Sequence, residues 1–157
     1  MVGVGVGGGS MVADCDACDS TFEAGGLDAH IGYMITPRLA IMLDVWGMVH
    51  HESFLTVYQE INTVAARWWL MPNLWLQAGL GNANAGYKWS GIFVNVEDRT
   101  ENTAGVMVGA GYEFYVKPQF AIDVYVRYGT GFYDTTVGND YVVKAHSAQL
   151  GVGFNWF

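Results

Sequence analysis

Six polar side chains stand inside otherwise apolar segments and are the first candidates for chemistry: Asp44, Arg67, Gln77, Glu113, Asp123 and Arg127. Asp44, Arg67, Glu113 and Asp123 lie seven, five, five and five residues from the nearest proline, and Gln77 lies five from Pro72. If the prolines mark chain reversals, these groups share one level of whatever encloses them, with Arg127 about one layer higher. Carboxylates and guanidinium groups held in a low-dielectric interior must pair or change protonation. Two kinds of chemistry are on offer: a salt-bridged plug, or a gated path for ions or protons.

Other constellations are weaker. His30, His50, His51 and His146, with Glu52, invite a metal or catalytic reading. Adjacent side chains at a strand end point to opposite faces, however, so His50-His51-Glu52 is a poor chelator, and the four histidines are expected at the surface with no metal bound. His146 and Ser147 are neighbours and face opposite sides of a strand, which separates a nucleophile from its base. An enzyme is not expected, and no cofactor is implied. Cys15 and Cys18 are the only two cysteines. Their spacing is compatible with a local disulfide in an oxidising compartment, with free thiols, or with part of a metal site, although a second such pair is lacking. Acidic residues gather at Asp14, Asp16, Asp19 and Glu23, at Glu97, Asp98 and Glu101, and at Asp134 and Asp140. Solvated loops are the simple reading; divalent cations bridging these carboxylates to phosphates are the sharper one, without the spacing of an EF-hand.

The elements that must position these groups are punctuated by three prolines, each opening a similar phrase: Pro37-Arg38-Leu39, Pro72-Asn73-Leu74 and Pro118-Gln119-Phe120. Proline presets φ for a turn and cannot donate to a sheet ladder, so each phrase predicts a reversal, near 36–38, 71–73 and 117–119. Between reversals the pattern has period two. Leu39, Ile41, Leu43, Val45 and Val49 oppose Ala40, Met42, Asp44, Trp46 and Met48. Phe120, Ile122, Val124, Val126 and Tyr128 oppose Ala121, Asp123, Tyr125, Arg127 and Gly129, and Ala104 to Phe114 oppose Gly105 to Tyr115. Further strands are read over 2–10, 24–35, 55–70, 74–87 and 141–157, which brings the count to eight, with loops near 11–23, 50–54, 88–102 and 134–140.

Apolar residues make up 52% of the 157-residue chain and charged ones only 14%, a balance suited to solvation by lipid. The best apolar run, Val64 to Leu76, is broken by Arg67, Pro72 and Asn73 and cannot be a spanning helix. A chain that crosses a membrane without helices must close its strands into a barrel, where every backbone group is paired. One face of each strand is uniformly apolar while the other mixes glycine, charge and bulk, which predicts a barrel that is greasy outside and polar inside. Aromatics near the prolines (Tyr33, Trp68, Phe114, Phe120, Phe154, Trp156) and near the loops (Phe54, Tyr87, Trp89, Phe132, Tyr133, Tyr141) are expected to form two interfacial girdles. The net charge of −8 argues against nucleic acid as a partner.

With these features the chain resembles the OmpA/OmpX-like small outer-membrane barrels, the generic bacterial outer membrane beta-barrel proteins, over nearly its whole length. The most specific element is the ending, Leu150-Gly151-Val152-Gly153-Phe154-Asn155-Trp156-Phe157. It looks like the family's insertion signal for the barrel-assembly machinery, although Phe157 falls out of phase with Leu150, Val152, Phe154 and Trp156. The resemblance implies an all-β, eight-stranded antiparallel up-and-down transmembrane barrel, 1–157, integral to the outer membrane. The proline turns and both termini would lie on the periplasmic rim. The start, Met1-Val2-Gly3-Val4, lacks a basic leader and is expected to follow a signal peptide already removed. Expected partners are outer-membrane lipid, lipopolysaccharide and the assembly machinery, and the barrel is expected to be a monomer. The function read first is a non-enzymatic structural or adhesin-like scaffold with a charge-filled lumen. A small-solute or ion pore is the alternative, a lipid-modifying enzyme is a weaker one, and a soluble lipocalin-like binder would require no detergent.

Overall fold

A computed structural model of the chain describes residues 1–15, 18–90, 95–99, 102–133 and 144–157. The period-two segments form β1 (Val2–Cys15), β2 (Cys18–Thr36), β3 (Leu39–Glu52), β4 (Leu55–Met71), β5 (Leu74–Ser90), β6 (Asn95–Arg99), β7 (Thr103–Lys117), β8 (Phe120–Gly131) and β9 (Lys144–Trp156). All neighbours are antiparallel. β6 and β7 pair successive stretches of one edge of β5, so they act as a single interrupted strand and the circuit has eight positions. The β1–β9 and β4–β5 ladders close it. Closure leaves no edge in the body of the sheet, which is what a strand needs in lipid.

Following partners around the circuit from Val2 leads through Ile31, Leu43, Val64, Leu80, Val106, Thr130 and His146 to Val12. The path returns ten residues (12 − 2) further along β1. For eight strands ~4.8 Å apart rising ~3.3 Å per residue, this stagger tilts the strands by about 40° and leaves an interior that side chains alone can fill.

The proline phrases are two-residue reversals between Thr36 and Leu39, Met71 and Leu74, and Lys117 and Phe120. Proline holds a negative φ, whereas the two-residue turns that match strand twist need a positive one. Each incoming strand absorbs the mismatch with a bulge, the extra residues being Ile35, Leu70 and Phe114. A bulge shifts the alternation by one. Tyr115, expected to point inward after Glu113, is therefore exposed beside Phe114.

At the opposite rim the strands run past their predicted ends. Residues 11–15 and 18–23, expected in a loop, continue the β1–β2 ladder as far as Cys15 opposite Cys18, and Lys88 pairs with Glu97 inside the expected 88–102 loop. The density of acids there suggests a loop, but a backbone ladder needs no apolar side chains once its hairpin is closed. Residues 91–94 and 100–101 of that loop, and the expected 134–140 loop, lie outside the described residues.

Outward side chains are apolar, with Leu27 68%, Leu80 71% and Leu150 64% exposed. Tyr33, Trp68, Phe114 and Trp156 are exposed towards the proline rim, as a girdle requires. Phe54 and Phe132 are exposed at the other rim, but Tyr133, expected with them, is folded inward at 3% exposure. It meets Gln59 there, because its hydroxyl finds a buried amide partner. The side chains of Tyr87, Trp89 and Tyr141 lie outside the described residues.

Candidate functional site

Inward positions alternate along every barrel strand and bring a polar set to the middle of the lumen. β8 supplies Asp123, Tyr125 and Arg127; β2 supplies Asp28 and His30; β3 supplies Asp44; β4, β5 and β9 supply Arg67, Gln77 and Asn155. Arg127 is the hub. Its Nη2 lies 2.8 Å from Asp28 Oδ1 and its Nη1 lies 2.9 Å from Asp44 Oδ1, with all three side chains at 1–2% exposure. Gln77 Nε2 donates to Asp44 Oδ2 at 2.8 Å, and Arg67 Nε donates to Gln77 Oε1 at 2.9 Å. Arg67 Nη1 also donates to Asn155 Oδ1 at 3.0 Å, and Asn155 Nδ2 donates to Asp123 Oδ2 at 3.1 Å. The network thus runs without a break from Asp28 to Asp123.

Aromatic groups lock it in place. Tyr125 donates its hydroxyl to Asp28 and accepts from Gln149 Nε2 at 3.2 Å. Trp75 Nε1 donates to Asp123 Oδ2 at 2.9 Å, and the Arg67 guanidinium lies 4.1 Å from the Trp75 ring centroid. Glycine makes room for this bulk: a Cβ on Gly111 would overlap the Trp75 indole, and one on Gly5 would overlap the Asp28–Tyr125 pair. Trp46, Trp75, Met42, Ile61 and Met107 fill the remaining section.

Five of the six residues singled out in the sequence, Asp44, Arg67, Gln77, Asp123 and Arg127, belong to this one network. Glu113 does not: its carboxylate accepts from Trp69 Nε1 at 2.9 Å and stands apart, towards the proline rim. Glu113 is the register partner of Asp123, but its carboxylate is bonded to Trp69 rather than to an arginine. Asp28, Tyr125, Gln149 and Asn155 join the network without having been singled out, and His30 joins it after being read as a surface histidine. Their signal was present, since Asp28 and His30 alternate with the outward Leu27, Ala29 and Ile31.

His30 corrects the expectation of four surface histidines. It is buried, with Nε2 3.1 Å from Asn155 Oδ1, because its position on β2 has inward parity. His50 and His51 sit at the loop rim, bonded to Glu23 O at 2.6 Å and Thr56 Oγ1 at 2.8 Å. Among the described residues no group of three metal-ligating side chains gathers. Ser147 is buried and donates to Gln59, while His146 lies on the outer face with its ring 5.9 Å from that of Tyr128. The side chains of Cys15, Cys18 and the acids Asp14, Asp16, Asp19, Glu97, Asp98, Glu101, Asp134 and Asp140 lie outside the described residues.

In the terminal strand Leu150 and Trp156 face outward and Gly151, Gly153 and Asn155 face the lumen. Phe157 leaves the ladder, donates its N–H to Gln119 O at 3.2 Å and rests 6.2 Å from the Trp69 ring.

The fold has close relatives in shape. Ail, the attachment invasion locus protein of Yersinia pestis, is 17% identical and superposes with a TM-score of 0.66, covering 98% of this chain and 96% of its own. Neisserial surface protein A is 14% identical, with a TM-score of 0.65 over the same shares of the two chains. Ail in complex with the heparin analogue sucrose octasulfate is 19% identical at a TM-score of 0.60, covering 98% of this chain and 96% of its own. A search of the curated proteins finds no match. Residues 2–155 match the family described as Outer membrane protein beta-barrel domain, and with its closed eight-stranded circuit and apolar exterior the chain belongs to that family of outer-membrane barrels.

Proposed function

We propose that this barrel is a non-enzymatic scaffold of the outer membrane, whose plugged body holds surface loops in place for contact. The observation that carries the reading is Arg127 clamped between Asp28 and Asp44 across the lumen. Side chains engaged in this way close the section to solutes and fix the barrel's register. The non-enzymatic reading is supported by Ser147, whose hydroxyl is spent on Gln59 while its neighbour His146 faces the other way.

An adhesin-like role is favoured by the likeness in shape to Ail, a protein named for attachment and invasion. Ail is also seen with a polyanion. This chain carries a net charge of −8, so its contacts favour cationic groups, or phosphates of lipopolysaccharide reached through divalent cations. The ending, from Leu150 to Phe157, would be read by the barrel-assembly machinery.

The test combines stability with conductance for Arg67→Ala. The plug reading expects a lower urea midpoint in lipid and conductance still near background. A large rise in conductance with unchanged stability would overturn it. A pore remains the second reading, favoured by a vestibule at the proline rim lined by Met34, Arg38, Glu113 and Lys117.

A further inference from the structure

The lipid-facing wall carries a polar notch on one side of the barrel. On β4 the outward sequence runs Trp68, Ala66, Val64 and then Asn62 and Glu60; on β5 it runs Leu76, Ala78, Leu80 and then Asn82. Register places Asn62 opposite Asn82 and Glu60 opposite Asn84, directly above the apolar pair Val64 and Leu80. Asn62 lies six residues above the girdle residue Trp68. At this tilt that is roughly 15 Å up an apolar band about 25 Å tall. On β3, by contrast, apolar residues continue to Val49.

Amides at that depth lose water and gain nothing from acyl chains. Within the patch, Asn62 Nδ2 donates to Glu60 Oε1 at 2.8 Å. Asn82 is exposed beside it. Beside the patch the wall is hollow. Gly47, the register partner of Glu60, faces outward, and a Cβ there would meet only Gln59 O at 3.9 Å. A Cβ on Gly25, one strand further, would meet nothing within 4 Å.

We infer that the β3–β5 wall, centred on Asn62 and Asn82, is a docking surface for a second copy of this chain within the membrane. A primary amide both donates and accepts, so a two-fold axis between Asn62 and Asn82 sets each against its opposite number in the other copy. The outward glycines let two sheets approach closely enough for those bonds to form. Small residues with polar side chains beside them are the combination that drives association in lipid, where apolar surface alone does not. Anionic headgroups are the wrong occupant, because Glu60 stands in the patch and the whole chain is acidic. A reversible pair would replace the monomer expected from the sequence.

The experiment measures energy transfer between copies carrying donor or acceptor dye on a carboxy-terminal extension, in liposomes of falling protein-to-lipid ratio. The native chain should associate beyond random proximity. Asn62→Leu/Asn82→Leu, and separately Gly47→Leu, should each need at least a tenfold higher ratio for the same transfer while keeping heat-modifiable migration. Gly47→Leu decides the matter if the double variant does not fold. Random-proximity transfer in the native chain, whether or not lipid co-purifies on the patch, overturns the inference. So does an unchanged ratio in the folded variants.

Discussion

Removing Arg127 would leave Asp28 and Asp44 buried without the guanidinium that is bonded to both. Arg127→Met is expected to cost about 3–5 kcal/mol in urea unfolding from lipid, and replacing both aspartates by asparagine in the same chain should recover most of it. The glycines that make room for the network carry a second expectation. Gly111→Ala forces the Trp75 indole to move and should lower stability by about 1–3 kcal/mol, while Gly25→Ala, at an open outward site, should leave it nearly unchanged. Counting residues from the prolines brought Asp44, Arg67, Gln77 and Asp123 to one level, but it brought Glu113 there too, and Glu113 bonds Trp69 instead of joining the network. The count could not show that Arg127 is the hub, because its partners Asp28 and Asp44 sit 99 and 83 positions away in sequence, on strands whose relative height depends on closure. His30 was misjudged because histidine is common at surfaces. The parity of its strand was the better guide.

At the scale of the strand, legibility followed the alternation and failed where something interrupts it. The β8 faces emerged as read, since no bulge occurs between Phe120 and Gly131. Tyr115 was assigned to the wrong face because one extra residue, Phe114, precedes it, and a period-two pattern carries no sign of a bulge until pairing is known. The β3–β4 hairpin offers a test of turn chemistry. Its two-residue turn places Ser53 at φ 50, a conformation glycine adopts without strain. Ser53→Gly should raise stability by about 1 kcal/mol, read as a higher urea midpoint with an unchanged slope. A fall would mean that the Ser53 side chain contributes more than its backbone costs.

For the molecule as a whole, eight strands and their up-and-down order were legible from three prolines and the apolar faces. The stagger of ten residues was not, because it exists only as a sum of registers around the closed circuit. That circuit also determines where the chain ends meet. Val2 pairs with Trp156 as ordinary ladder neighbours, and the Met1 amine donates to Gly32 O at 2.7 Å on the strand beyond. β9 and β1 therefore stand side by side at the proline rim, as the strands flanking each proline reversal do. Joining Phe157 to Met1 through a short turn and opening the chain between Pro72 and Asn73 should give a circular permutant with the same heat-modifiable migration and a similar urea midpoint. In the folded cylinder the β9–β1 ladder is a seam like any other, so the closed wall does not depend on which connection is opened.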